Sequence, residues 1–379
     1  MTPFFSIIIP CYNQAHFLSD CLESLQQQSY TNWEAIVVND GSTDNTNQVA
    51  NQFVTKDSRI KLFEKDNGGL SSARNYGLEN SNGQRIIFLD SDDFLYPKCL
   101  KTILDFSKEC DDYDLIQYGY TYVKEDGKTI LGHTNAIRKN NIIPDVFKSN
   151  LGPCHSICIS STLAKAAGSF DESLKSVEDW DFWIRAVKAG GRQKTILAFL
   201  VYYRYSKNSM SRNPFVMFDA LKTVIERGPQ KDNRITIESS LNKDFDFDTK
   251  EVLNTVLIRS VGVGVMQGRI DETITFFKKF TNKPIEKYSP QDFDQMCSYL
   301  SFRYWYSRSD IDEVFKIIYP NFILFFKAIG YSDSLTKKAL YFIFKRHFFY
   351  KNIYRYGKLL GRFFNSMFRF YNEKIMAKL

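Results

Sequence analysis

Arg85-Ile86-Ile87-Phe88-Leu89-Asp90-Ser91-Asp92-Asp93 decides how this chain is read. Four apolar residues behind Arg85 have the length of a buried strand. They stop at Asp90, Asp92 and Asp93, three carboxylates within four positions. So much negative charge at a strand end is costly unless a cation binds there. Hard divalent cations such as Mg²⁺ or Mn²⁺ take oxygen ligands and share them with phosphates. The stretch therefore reads as a metal-dependent site for a phosphorylated ligand at the carboxyl end of a sheet strand. The competing reading is a plain acidic turn, with Asp93 capping a helix ahead of Pro97. The surrounding chain has to decide between them.

Upstream, strand-like and helix-like segments alternate. Phe4–Ile9, Trp33–Asn39 and Ile60–Glu64 are β-rich runs. Ala15–Gln28, a polar stretch from Thr43 and Leu70–Asn80 have helical character. Such alternation implies parallel strands joined by helical crossovers, with ligands bound at the strand C-termini. Each of these ends carries ligand-competent residues. Pro10-Cys11-Tyr12-Asn13 ends the first, and Tyr12 offers an aromatic face for a base. Asn39-Asp40-Gly41-Ser42-Thr43-Asp44 ends the second. Asp40 there can accept from a nucleobase N–H or a ribose hydroxyl, although a capped strand-to-helix turn explains the motif equally well. Asn67-Gly68-Gly69 follows the third strand and precedes Arg74, whose guanidinium suits phosphate or base; the plain alternative is a flexible turn and a solvated arginine. Four successive ends of this kind converge on one crevice, and that convergence outweighs each plain reading.

Downstream the pattern is mixed. Tyr113–Lys124 and Lys128–Gly132 read as a hairpin, Ser156–Ser160 as a short strand, Glu178–Ala189 as a helix and Thr195–Tyr205 as a last strand. Glu178-Asp179-Trp180-Asp181-Phe182-Trp183 concentrates further chemistry. Acids at a helix N-terminus complement its dipole, but tryptophans interleaved with acids also suit a sugar, and one acid can serve as a general base. Arg204, in Tyr202-Tyr203-Arg204-Tyr205, is placed to meet a diphosphate or simply ends a strand edge.

The chain has 379 residues, 44% hydrophobic and 25% charged, enough for two domains with real cores. We expect a first domain over 1–212, a helix and polar linker over 213–248, and an α-helical region over 249–379. Seven scattered cysteines, without a Cys-x-x-Cys, read as buried thiols in a reducing compartment. The N-terminal run lacks a basic region and is closed by Pro10, so it reads as a first strand and not a leader. No apolar run is long enough to span a bilayer. The net charge of +7 is uneven: residues 327–379 hold 12 Lys and Arg against two acids. This basic, Phe- and Tyr-rich tail suits an anionic membrane interface or a helix packed on its own domain. Nucleic acid is not an expected partner, since no RNA- or DNA-binding pattern occurs.

Taken in order, residues 5–13, 39–44, 67–75, 89–93 and 178–183 resemble the family-2 glycosyltransferases of GT-A fold. The resemblance covers roughly residues 4–212. It implies an α/β, Rossmann-like nucleotide-sugar-binding domain with a mainly parallel sheet, and inversion at the anomeric carbon. By resemblance Asp40 recognises the base of a nucleoside diphosphate sugar, usually UDP. Asp90 and Asp92 form an Asp-x-Asp motif, Asp90 toward the ribose and Asp92 toward Mn²⁺ or Mg²⁺, with Asp93 assisting. Asp179 looks like the general base, and Glu178 and Trp180 line the acceptor site. The expected donor side is Pro10, Tyr12, Asn13, Asp40, Asn67, Arg74, Asp90, Ser91 and Arg204.

The sequence therefore predicts a cytoplasmic, metal-dependent hexosyltransferase, peripheral to the inner face of the plasma membrane. It would use a UDP-sugar and a saccharide or lipid-linked acceptor in cell-surface polysaccharide or glycolipid synthesis. Two other readings stand beside it. One is a nucleotidyltransferase, disfavoured because Cys-Tyr-Asn-Gln stands where a Gly-rich basic loop is wanted. The other is a catalytically degenerate scaffold acting as an interaction protein, disfavoured by the intact acidic motifs.

Overall fold

The structure is a computed structural model that describes residues 2–109, 114–136, 142–205, 213–281, 283–296 and 310–343. The chain divides into two compact units, residues 1–206 with 223–247, and residues 207–222 with 248–379.

The first unit begins β1 (Phe5–Cys11), α1 (Ala15–Gln26), β2 (Trp33–Asp40), α2 (Thr46–Lys56), β3 (Ile60–Lys65), α3 (Leu70–Glu79) and β4 (Arg85–Phe88). These four strands are parallel. β1, β2 and β4 are buried throughout and mostly apolar, as strands covered on both faces are, while the edge strand β3 carries Lys61, Glu64 and Lys65. Ile7, Ile9, Ala35, Val37 and Ile87 are fully buried in one core with Leu18, Cys21 and Leu22 of α1. Each Ile, Val or Leu side chain among them contributes about 1.5–3 kcal/mol on burial. Ile36, Val38 and Ala73 form a smaller cluster. Gly77 of α3 sits directly on β1, where an added Cβ would lie 2.3 Å from Ile8 Cγ2.

The unit continues with β5 (Phe94–Leu95), α4 (Cys99–Glu109), β6 (Leu115–Val123), β7 (Ile130–Thr134), α5 (Ile142–Lys148), β8 (Ile157–Ser160), α6 (Ser161–Ala166), α7 (Glu178–Lys188) and β9 (Gln193–Arg204). The sheet order is β3-β2-β1-β4-β8-β6-β9-β5, with β7 paired to β6 as the expected hairpin. β8 runs antiparallel to both β4 and β6. This puts the start of β8 beside the end of β4, a neighbour that alternation of parallel strands does not predict. The expected α/β class with a mainly parallel sheet is the one observed. The thiols of Cys11, Cys21, Cys99, Cys154 and Cys158 are buried and free.

Residues 223–247 belong to this unit and are tied to it by charge. Asp181, on α7, accepts from Arg227 Nη2 at 2.6 Å and from Arg234 Nη1 and Nη2 at 3.0 Å. Arg185 Nε donates to it at 3.2 Å from one helical turn on. Asp171 takes further bonds from Arg227 and Arg234. The stretch read as a polar linker thus clamps the helix that carries Glu178 and Asp179.

The second unit is helical. α8 (Pro214–Arg227) begins in it, followed by α9 (Thr249–Met266), α10 (Ile270–Phe280), α11 (Asp310–Ala328) and a helix over 333–343. Its core is aromatic: Phe277, Phe293, Phe322, Phe325 and Phe326 are buried together with Tyr331. Phe322, Phe325 and Phe326 of α11 are therefore interior. The rest of the basic tail, 344–379, lies outside the described residues. Among the described residues no helix is long and apolar enough to cross a membrane.

Asp181→Asn would leave three guanidinium groups around a neutral amide. Breaking a buried ion cluster on one side costs about 3–5 kcal/mol. Denaturant unfolding of the first unit's transition should show a loss of that size, and a loss below about 1 kcal/mol would mean the clamp is not structural.

Candidate functional site

The β1, β2 and β3 ends are stitched to one another by side chains. Asn13, in the left-handed region at φ 53°, donates its backbone N–H to Ser42 Oγ at 2.9 Å and accepts from Thr43 N at 2.8 Å. Asp44 reaches back to cap α1 through Ala15 N at 3.0 Å. Asp40 is buried and accepts from Lys65 Nζ at 2.7 Å, Gly68 N at 3.0 Å and Gly69 N at 2.7 Å. Asn67 Nδ2 donates to the Asp40 carbonyl at 2.9 Å. Gly41, at φ 72°, lets that loop close in, since a Cβ there would lie 2.8 Å from Asn67 N. Pro10 is buried in β1 opposite Val38, and Tyr12 beside it is 49% exposed, leaving its ring available.

The β4 end meets α3 and α7 at one buried arginine. Arg74 Nη2 donates to Asp90 Oδ1 at 2.7 Å, and Nη1 donates to Glu178 Oε1. A single guanidinium thus joins the first acid of the Asp-x-Asp motif to the first acid of the Glu-Asp pair, 104 residues apart in sequence for the longer link. Arg74 was expected to touch phosphate or base; here both of its bonds go to carboxylates. Ser91 is buried against the Cys11 thiol.

Asp93 is fully buried. Its Oδ1 accepts from the Arg204 backbone N–H at 2.7 Å. Its Oδ2 lies 2.7 Å from His155 Nδ1, close enough for an ion pair but off the line of a good hydrogen bond. His155 Nε2 has no hydrogen-bond partner. Burial, then the charge of Asp90, pushes the Asp93 carboxyl up against the opposing pull of His155. Asp92 is pushed well up by burial and by the charges of Asp93 and Asp90. Asp90, Asp93 and His155 offer ligand atoms all within 4.8 Å of one another. This donor set, with orphaned polar atoms and like charges crowded beside Asp92, fits a divalent cation.

The acid pair sits in the first turn of α7. Val177, the residue before it, is left-handed at φ 52°, strained for a β-branched side chain by about 1–3 kcal/mol. Asp179 accepts from Trp180 N at 2.7 Å. Burial first, and the neighbouring Glu178 charge second, raise its carboxyl to about 7. Trp180 is 3% exposed, and its indole N–H donates to the Val146 carbonyl at 2.7 Å. It holds the 146–152 stretch, as Trp183 does through the Gly152 carbonyl at 3.2 Å, instead of presenting an open stacking face. Arg204 likewise turns its side chain away from the acids. Its Nη2 pairs with Asp20 at 2.5 Å, and the guanidinium lies over the Phe17 ring at 4.3 Å.

The glycosyl transferase family 2 model matches residues 6–164. The chain carries a glycosyl transferase family 2 domain. An uncharacterized glycosyltransferase of Rickettsia typhi is 34% identical over 192 residues, covering 49% of this chain and 59% of that protein. The uncharacterized glycosyltransferase EpsJ of Bacillus subtilis is 28% identical over 227 residues, covering 57% and 65%. The chain thus spans less than two thirds of the curated relatives it matches. In fold it is similar to S. aureus TarS 1-349 in complex with UDP-GlcNAc, with a TM-score of 0.52 at 19% identity over 93% of this chain and 92% of that one. It is also similar to the mannosyltransferase PcManGT from Pyrobaculum calidifontis in complex with GDP-Man and Mn²⁺, with a TM-score of 0.50 at 12% identity over 92% and 88%.

Arg74→Met would leave Asp90 and Glu178 facing each other unpaired. We expect a loss of about 3–5 kcal/mol in unfolding free energy, partly recovered in the double variant Arg74→Met, Glu178→Gln. If the double variant is no more stable than the single one, the bridge is not what holds these acids.

Proposed function

We propose that the chain transfers a sugar from a nucleoside diphosphate sugar, a UDP-sugar, to an acceptor hydroxyl with inversion. The observation that carries this reading is the bridge from Asp90 through Arg74 to Glu178. It sets the phosphate-side acids and the general base on one rigid frame. The base is held by Asp40 with Tyr12, Asn13 and Asn67 around it. Asp90 and Ser91 sit at the ribose end, and Asp90, Asp92 and Asp93, with His155 behind them, would hold Mn²⁺ or Mg²⁺. When bound, such an ion neutralises charge developing on the leaving diphosphate.

Asp179 takes the proton of the acceptor hydroxyl. That oxygen forms a bond to the anomeric carbon as the bond from that carbon to the diphosphate breaks, with its electron pair leaving on the phosphate. One base, with no covalent nucleophile positioned beside it among the described residues, supports a single displacement, which inverts the carbon. Glu178, bonded to Arg74, lies beside Asp179 and its charge raises the Asp179 carboxyl, which favours proton uptake near neutrality. Trp180 serves the acceptor side by fixing the 146–152 stretch. The nucleotide sugars bound by TarS and PcManGT support the donor class.

The pH profile follows from the Asp179 shift. The base must be ionised, and its carboxyl is raised to about 7. We expect kcat/KM for UDP-sugar turnover to rise about tenfold per pH unit below that value and to level off above it. Asp179→Asn should remove turnover by a factor of about 10² or more while leaving UDP affinity unchanged. A flat profile, or an active Asp179→Asn enzyme, would reject Asp179 as the base.

The acceptor we propose is a saccharide or lipid-linked saccharide of the cell surface, reached from the cytoplasmic face of the membrane. Support comes from the charge of the C-terminal stretch, 12 Lys and Arg against two acids over 327–379. Clusters of this kind gain about 1 kcal/mol per basic residue near an anionic surface. The full chain should therefore sediment with phosphatidylserine-containing vesicles and not with phosphatidylcholine alone, and a chain ending at residue 343 should not. Equal partitioning of both chains would remove the membrane from the proposal.

A further inference from the structure

The stretch between α5 and β8 is held by its carbonyls. Trp180 donates its indole N–H to the Val146 carbonyl at 2.7 Å, Gln117 its side-chain amide to the Leu151 carbonyl, and Trp183 its indole N–H to the Gly152 carbonyl at 3.2 Å. Ser156 Oγ donates to the Pro153 carbonyl at 2.8 Å. Gln117, Trp180 and Trp183 are buried, and the Gln117 oxygen accepts in turn from the Gln193 amide. Buried donors have to find acceptors, and these find theirs on one short run of backbone. The turn is also close-fitting: a Cβ on Gly152 would lie 2.6 Å from Ser156 Oγ.

Residue 150 lies between the pinned carbonyls of Val146 and Leu151, so its side chain starts from a fixed backbone. Asn150 Oδ1 accepts from Gly152 N at 3.3 Å. With the amide oxygen turned back on the turn, the NH2 group is the end left for Asp179, to whose side chain Asn150 is hydrogen-bonded. Asp179 otherwise accepts from the adjacent Trp180 N. Among the described residues, Asn150 is thus the one side chain from another element that hydrogen-bonds it. The charged and titratable groups facing Asp179 are Glu178 beside it, Arg74 from α3 and the buried Cys154 thiol. An amide N–H donating to a carboxyl favours the ionised form, in opposition to burial and to Glu178.

We infer that Asn150 is a positioning residue for the proposed general base: it donates from its amide to the Asp179 carboxylate and holds that group in the orientation and the ionised state that proton abstraction needs. The pinned 146–153 stretch is the frame that carries it. This rests on the reading of Asp179 as the base and deepens it, since it names the group that keeps the base ready. Trp180 and Trp183 acquire a use in the same scheme. They stand on α7 with the base and hold the backbone from which Asn150 reaches it, so the base and its donor are referred to one helix.

Carbon-13 NMR titration of the aspartate carboxyls of the full chain, with Asp179 assigned by the loss of its signal in Asp179→Asn, tests it without a substrate. In the wild type the Asp179 midpoint should lie at about 7. Asn150→Leu, close in size but without a donor, should move it up by about one pH unit. Asn150→Asp, the same shape with a second negative charge, should move it further. The rising limb of UDP-sugar turnover should shift with the midpoint in both variants, while UDP affinity measured by calorimetry stays at the wild-type value. A midpoint unmoved in both variants would mean that Asn150 only closes the turn on Gly152, and would overturn the inference. So would a loss of UDP affinity, which would make Asn150 a part of the fold at large. A wild-type midpoint in the ordinary aspartate range would instead reject Asp179 as a tuned base, and the inference would fall with that reading.

Discussion

Arg74 sits where three distant parts of the chain have to meet. It comes from α3, Asp90 from the end of β4, and Glu178 from the first turn of α7. A guanidinium this deeply buried is tolerable only when its donors find ionised partners in good geometry. That requirement fixes α7 against the sheet to within hydrogen-bond tolerance. Asp179 inherits its place from Glu178, and Asp92 and Asp93 inherit theirs from Asp90. Buried ion networks often add little net stability but leave few alternative arrangements. Here that selectivity has a use, because the chemistry proposed needs a base on one side of a carbon and charge neutralisation on the other.

The acids around this arginine are more numerous than the cations, and the imbalance is distributed in an ordered way. Asp93, deepest, accepts from the Arg204 backbone with one oxygen and has His155 Nδ1 beside the other. Asp90 has one oxygen on Arg74. Asp92 has Asp93 and Asp90 beside it, and burial with their repulsion outweighs the pull of His155 on its ionised form. A folded protein carries such a cluster at a cost in stability, which is the usual condition of a site that waits for a cation.

How much of this was legible in the chain depends on the kind of strand. β1, β2 and β4 are legible because parallel strands covered on both faces are written as mostly apolar runs, and their ends are where the polar residues begin. The second half of the sheet is antiparallel in part, and β5 is only two residues long. Pairing of β8 with β4 is a non-local event with no local signal, so nothing in the sequence marks His155 as the neighbour of Asp93. Residue type at a strand end states a chemistry but not a direction. Arg204 therefore lay in the right place with its guanidinium turned toward Asp20. Trp180 lay next to the base with its indole N–H spent on a backbone carbonyl, because a buried indole has to satisfy that group somewhere. The stretch after α8 reads as a linker because it is polar; its Arg234, with Arg227 at the end of α8, partners Asp171 and Asp181.

The two sides of the proposed site are held by different means. On the nucleotide side, loops are bonded to loops: Asn13 to Thr43, Asp44 to Ala15, Asp40 to Gly68 and Gly69. A ligand entering there meets groups already ordered, so little of its binding energy goes into ordering them. On the acceptor side, the base stands on a helix entered through a strained valine and anchored one turn further on by Asp181. Strain at Val177 persists because Glu178 beside it and Asp181 one turn on are both fixed by arginines, which holds the first turn of α7 in place. Positioning the base thus falls to ion pairs on either side of it, while Asp179 itself makes only a local backbone contact and a bond to Asn150. A carboxylate so lightly held is free to exchange its proton, which a general base must do in every turnover and a structural acid never does.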